Sequence, residues 1–216
     1  MDNIIPDRIT LHPPENETGR LINAIASFGT PVYKGARKRL SLKSNNKKVV
    51  YILKSGYLSY RFAANHLVAS YVYSHMIIGL GEIFSHNTSD LGYFLTESNA
   101  ELIMVDEYII LDALRADVNL WNDIAYILSY VTKKLVARDI NLGARNAYQL
   151  VRALLLDLFS QPIEIRNCVT VVNYILERSL LSKSSVMGII AQLKRGGYVT
   201  TDRGILVTLN TLPEHY

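Results

Sequence analysis

Residues 170–209 read TVVNYILERSLLSKSSVMGIIAQLKRGGYVTTDRGILVTL, and two helical periodicities followed by an alternating hairpin decide how this part of the chain folds. Val171, Val172, Ile175 and Leu176 recur at helical spacing and predict an amphipathic helix that begins near Thr170 and stops around Ser179. A second helix follows almost at once. Ser182 is an N-cap residue whose hydroxyl can accept the backbone N–H of Ser185, and Leu181 before it can staple against Val186. Val186, Ile189, Ile190 and Leu193 make the inward face, leaving Lys183, Ser184, Met187 and Gly188 on the outward, N-terminal face. Gly196 and Gly197 predict a left-handed stop. Tyr198 to Thr201 and Ile205 to Leu209 then read as two strands joined through Asp202, Arg203 and Gly204. Helix, tight turn, helix and hairpin make a winged helix-turn-helix.

Such a unit suits DNA. A helix about 10–12 Å across fits the major groove, and small polar side chains at its N-terminus let the backbone approach base edges. Lys183, Ser184 and Ser185 are the expected first-turn readers, with Ser182, Met187 and Gly188 beside them. Lys194, Arg195 and Arg203 are expected at phosphates, where they add affinity and salt dependence rather than sequence choice. The same elements also build winged helices that grip proteins, and the pattern alone leaves that alternative open.

Charge points the same way. The 216 residues carry a net charge of +4, and the segment from Arg166 to Tyr216 holds six basic residues against three acidic ones, a net +3. A second run, Lys34, Arg37, Lys38, Arg39, Lys43, Lys47 and Lys48, contains no acid, so the remainder of the chain is net acidic. Cations sorted in this way imply a polyanionic partner.

Upstream, Leu21, Ile22, Ile25 and Phe28 predict a leading helix ended by Gly29 and Pro31. From Arg39 to Val105 short β-branched and aromatic runs (Val49 to Leu53, Tyr57 to Phe62, Leu67 to Tyr73, Leu102 to Val105) alternate with turn signals and predict a β sandwich or roll. Trp121, Ile124, Leu128, Val131 and Leu135 then mark one stripe of a long helix from about Asp117 to Leu142. This stripe either seals a two-helix dimer seam or packs on the chain's own β domain. Tyr148, Leu150, Leu154, Leu155 and Leu158 mark another helix before Pro162. The expectation is an α+β chain: a β-roll domain over residues 1–110, a dimerisation helix over 111–143, and a winged helix-turn-helix domain over 144–216.

This order of parts resembles the superfamily of the cyclic-AMP receptor protein and the fumarate and nitrate reduction regulator (CRP/FNR). Val172 to Val199 carry the resemblance most sharply, with Ser182, Lys183, Val186, Ile189 and Leu193 at the spacing of that family's recognition helix. Ser184 and Gly188 stand where the family commonly has an acid and an arginine, so the operator of those relatives does not carry over. Lys54-Ser55-Gly56 and Ile78-Gly79-Leu80-Gly81-Glu82 resemble the roll and the approach to its phosphate-binding cassette. The cassette's ribose glutamate and phosphate-binding Arg-Ser or Arg-Thr pair are replaced by Leu80 and by Asp90-Leu91; shifting the register to Glu82 brings no arginine to the right distance. An aspartate facing a cyclic phosphate repels it, so no cyclic-AMP binding is expected. Val172 to Ile175, Leu193 to Gly196 and the ending Leu212-Pro213-Glu214-His215-Tyr216 further resemble an enterobacterial branch, the IprA-like regulators named for inhibition of hydrogen peroxide resistance. That resemblance implies stress or virulence gene control.

Other classes find little support. No HExxH, GxGxxG, P-loop or serine-elbow motif is present, so no enzyme is expected. His66, His75 and His86 lack partners at metal-ligand spacing, and no metal or cofactor is expected. Cys168, the single cysteine, reads as a buried structural thiol. Tyr51, Tyr57, Tyr60, Tyr71 and Tyr73 either fill the roll's core and surface or line the pocket of an unidentified small-molecule effector. The N-terminus lacks a signal pattern and no stretch is apolar over a membrane-spanning length, so a cytoplasmic protein is expected, with double-stranded DNA, a second copy and RNA polymerase as partners.

Overall fold

The computed structural model describes residues 11–73, 75–86, 91–143 and 146–214. It packs as two compact units, Met1–Val136 and Ala137–Tyr216.

The first unit opens with α1 (Glu15–Ile25), whose first-turn acids Glu15 and Glu17 complement the helix dipole, and a 3-10 turn over Ala26–Phe28. Nine strands follow among the described residues, β1 (Thr30–Lys34), β2 (Arg39–Leu40), β3 (Lys43–Ser44), β4 (Lys47–Ser55), β5 (Leu58–Phe62), β6 (Val68–Val72), β7 (Ile77–Ile78), β8 (Gly92–Thr96) and β9 (Ala100–Asp106), with the one-turn helix α2 (Leu80–Ile83) between β7 and β8. They form two antiparallel sheets, ordered β1-β9-β4-β3 with β7 also on β4, and β2-β8-β5-β6. The unbroken apolar run Val49 to Leu53 is explained by the position of β4, which is buried on both faces. Val50 and Ile52 join a cluster with Leu21 and Ile25 of α1 and with Ile110 of α3 (Glu107–Ala116), while Val49, Tyr51 and Leu53 join the roll interior with Leu40, Leu58 and Leu102.

A 23-residue helix, α4, spans Leu120–Leu142. It starts at Leu120 rather than Asp117, because Asp117 turns the chain: its carboxylate accepts the Asn119 N–H at 2.9 Å and its carbonyl that of Leu120 at 3.2 Å. The predicted dimer stripe needs a correction. Ile124 is 3% exposed and packs in the same cluster as α1 and α3, with Leu128 against it, so Ile124 belongs to the core of its own unit. Trp121 lies against Phe84 with ring centroids 5.5 Å apart yet is 46% exposed, and Val131 and Leu135 are exposed too. Phe28, read as part of the leading helix's apolar face, is 69% exposed beyond the end of α1.

The second unit contains α5 (Ala147–Ser160), α6 (Ile163–Arg166), α7 (Val171–Leu176), α8 (Lys183–Arg195) and the hairpin β10 (Val199–Asp202) to β11 (Ile205–Leu209). Asn146 caps α5 by accepting the Gln149 N–H at 2.9 Å. Val151, Leu155, Leu158, Tyr174, Ile175, Val186, Leu193 and Val199 are among its buried side chains, drawn from α5, α7, α8 and β10. The Tyr148 hydroxyl donates to the Pro213 carbonyl at 2.6 Å and holds the chain's last described turn on α5; His215 and Tyr216 of the quoted ending lie outside the described residues.

Candidate nucleic-acid interface

The two helices start where their capping residues place them. Thr170 Oγ1 accepts the Asn173 N–H at 3.3 Å and Ser182 Oγ that of Ser185 at 3.1 Å, each satisfying an amide that has no partner inside its helix. The first helix ends at Leu176, three residues earlier than expected, and Ser179 Oγ donates to the Ile175 carbonyl at 2.8 Å. On α8, Val186, Ile190 and Leu193 are buried and Ile189 partly so, which is the inward face read from the sequence. Ser182, Lys183, Ser184, Ser185, Met187 and Gly188 are all exposed together on the opposite side. The serines are tied to one another: Ser182 Oγ lies 3.0 Å from Ser184 Oγ and 2.9 Å from Ser185 Oγ. Lys183 and Met187, the latter 52% exposed, are therefore the long side chains of this face.

α8 closes with a Schellman motif. The Tyr198 N–H donates to the Leu193 carbonyl at 2.9 Å and the Gly197 N–H to that of Lys194 at 3.0 Å. Gly197 alone is left-handed, at φ 74°, while Gly196 keeps a right-handed helical backbone, which corrects the two-glycine stop. Lys194 and Arg195 are exposed in this last turn, where cations also complement the helix dipole.

The wing turns tightly. Asp202 pairs with Ile205, and both residues between them are left-handed, Arg203 at φ 47° and Gly204 at φ 88°, as the primed two-residue turn requires. Asparagine and glycine fill such turns without strain; an arginine at the first position costs conformational energy and sets an exposed cation at the tip. The tip is anchored, because the Val171 N–H donates to the Gly204 carbonyl at 2.8 Å. The strands are held further by Thr200 and Thr208, whose hydroxyl oxygens are 2.6 Å apart.

The remaining expected positions divide. Three members of the first unit's basic run serve the fold: Arg37 pairs with Glu97 at 2.9 Å, Arg39 lies 3.8 Å over the Tyr93 ring, and Lys48 Nζ donates to the Ile83 and Ser85 carbonyls at 3.3 and 2.7 Å. Lys38, Lys43 and Lys47 are exposed and Lys34 is partly so. Leu80, which the resemblance aligned with the ribose glutamate, is a core residue, 3% exposed, and Glu82 faces solvent; Asp90 lies outside the described residues. Tyr51 and Tyr71 are buried, with the Tyr51 hydroxyl donating to the Ser41 carbonyl at 2.9 Å, and burial pushes that phenol's pKa up. His66 Nδ1 meets the Tyr93 hydroxyl at 3.2 Å. Among the described residues no group of three or more His, Cys, Asp or Glu side chains could hold a metal ion, and no helix is long and apolar enough to cross a membrane. Cys168 is exposed, not buried: it sits in the turn that closes α6, where its N–H donates to the Ile165 carbonyl at 3.0 Å and its side chain faces solvent.

The helix pair, its capped reading helix and the anchored hairpin define a winged helix-turn-helix, and residues 147–214 match the family described as winged helix-turn-helix DNA binding. Over most of its length the chain shares its fold with solved transcriptional regulators of the CRP/FNR family. It is similar to the c-di-GMP responsive global regulator CLP of Xanthomonas campestris, with a TM-score of 0.69 and 14% identity over 90% of this chain and 100% of that one. It is likewise similar to a CRP/FNR-family transcriptional regulator from Thermus thermophilus, with a TM-score of 0.61 and 17% identity over 83% of this chain and 93% of the other. In sequence it is 29% identical, over 94% of its own length and 97% of the relative's, to the inhibitor of hydrogen peroxide resistance of Escherichia coli K12. The resemblance drawn from the recognition helix thus extends along the chain, and the two solved neighbours are regulators.

Proposed function

We propose that this protein is a cytoplasmic, homodimeric, sequence-specific DNA-binding transcription regulator that does not respond to cyclic AMP. The observation that carries this reading is the exposed face of α8: Lys183, Met187 and bare Gly188 stand together, with the Arg203 cation on a wing anchored to α7. Lys183 and Met187 read base edges, the methionine by apolar contact with thymine methyl groups, while Lys194, Arg195 and Arg203 neutralise phosphates. RNA polymerase is the further partner that regulation at a promoter requires. The core position of Leu80 supports independence from cyclic AMP, since a buried leucine offers the ribose no carboxylate.

Fluorescence anisotropy on duplexes selected from a random pool tests the reading. Affinity falls steeply with salt, Lys183→Ala changes the selected sequence, and Arg203→Ala weakens all duplexes alike while lowering the salt slope by about 1. Retention of the same DNA by both variants with unaltered affinity would show that these helices serve another partner. Calorimetry with cyclic AMP gives no binding heat; micromolar affinity would overturn that part. The likeness to the Escherichia coli inhibitor supports hydrogen peroxide resistance as the trait to measure in a deletion strain.

A further inference from the structure

An open cleft of about 400 Å³ lies between α6 and the wing, lined by Ile163, Arg166, Asn167, Asp202, Arg203 and Val207 among others. Arg166 is the unusual member. Its guanidinium carbon sits 5.0 Å from the Phe159 ring centre, and Nη1 donates to the Phe159 carbonyl across a long 3.5 Å. Its Nε is buried and meets no acceptor among the described residues. A buried donor of a charged group is rarely left unmatched, and a guanidinium held against a ring is oriented before any ligand arrives. The ionisable groups lining the cleft are Arg166, Arg203 and Asp202, a net charge of +1. That balance suits a singly charged phosphodiester better than a dianionic phosphate, and the exposed Ile163 and Val207 side chains offer apolar walls to the sugar beside it.

We propose that Arg166, with Asn167 and Arg203, seats a phosphodiester of the DNA backbone in this cleft, outside the base pairs that α8 reads. The site rests on the DNA-binding reading above. It shares Arg203 with the wing, whose tip is bonded to the start of α7, so the same cation that serves the wing also lines the cleft. Arg166 adds affinity and length of footprint without sequence preference.

The test uses the full chain and a duplex chosen by the wild-type protein from a random pool, with the dissociation constant measured across a salt series. Arg166→Gln lowers the slope of log K against log salt by about 0.9 and weakens binding about eight-fold at 0.1 M salt, with the selected sequence unchanged. Arg166→Lys keeps the slope, because the charge remains, but binds more weakly. Shortening the duplex from its ends removes the difference between wild type and Arg166→Gln. If Arg166→Gln keeps the wild-type slope, the site is refuted and the cleft is left to an acidic protein surface. An equal loss on long and short duplexes, accompanied by a lowered melting temperature, assigns Arg166 a purely structural part and also refutes it. A wild-type chain that selects no duplex removes the DNA-binding reading and this site together, whereas selection with an unchanged slope removes the site alone.

Discussion

At the scale of single residues, one buried charge pair dominates the first unit. Arg61 on β5 and Glu97 after β8 meet at 2.7 Å with side chains 9% and 7% exposed, and Ser59 Oγ donates to the same carboxylate oxygen at 2.6 Å. Arg61 also donates to Ser59 Oγ at 3.0 Å and to the His66 carbonyl at 3.2 Å, so both charges are surrounded by hydrogen bonds. Removing one partner leaves the other charge buried. Glu97→Ala is expected to lower stability by about 3–5 kcal/mol, measured by urea denaturation; a loss below about 1 kcal/mol would mean that solvent already reaches Arg61. Nothing in the sequence announces this pair, because the partners are separated by 36 positions and each alone looks like a solvated surface charge. Cys168 misled for a related reason: cysteine is usually buried, and exposure depends on a loop path that composition does not encode.

At the scale of elements, α8 contains a position where folding and function pull apart. A mid-helix glycine costs roughly 0.5–1 kcal/mol relative to alanine, and a Cβ at Gly188 would meet nothing within 4 Å. Packing does not call for it. Gly188→Ala is expected to raise the stability of the free protein by about that amount, seen as a melting temperature a few degrees higher, and to weaken operator binding as the methyl group holds the helix off the groove. A variant that is more stable and binds equally well would show that the backbone makes no close approach there. α8, its cap, its inward face and the hairpin were legible because capping chemistry and periodicity agree locally. The strands β1 and β8 were not: their residues are short, mixed in polarity and only partly buried, and their places follow from pairing with β9 and with β2 and β5. α6 was missed too, a single turn after Pro162 without a periodic signal. Arg166, at its end, therefore had no element to belong to when the site was read from sequence.

At the scale of the whole molecule, the proposed homodimer makes the long helix the element to test. With Ile124 in its own unit's core, the expected seam shifts to Val131 and Leu135, which are 40% and 37% exposed. Leu135→Asp is expected to weaken the homodimer by at least about 2 kcal/mol in analytical ultracentrifugation while leaving the fold intact; Ile124→Asp is expected to unfold the first unit instead. A Leu135→Asp chain that still sediments as a tight dimer would move the contact elsewhere. The bond from the Val171 amide to the Gly204 carbonyl has a kinetic corollary. A hairpin already fastened to its neighbouring helix has no search to perform when it meets a duplex, so complex formation should run at the rate of encounter, its speed set by ionic strength and its lifetime by the bases beneath α8.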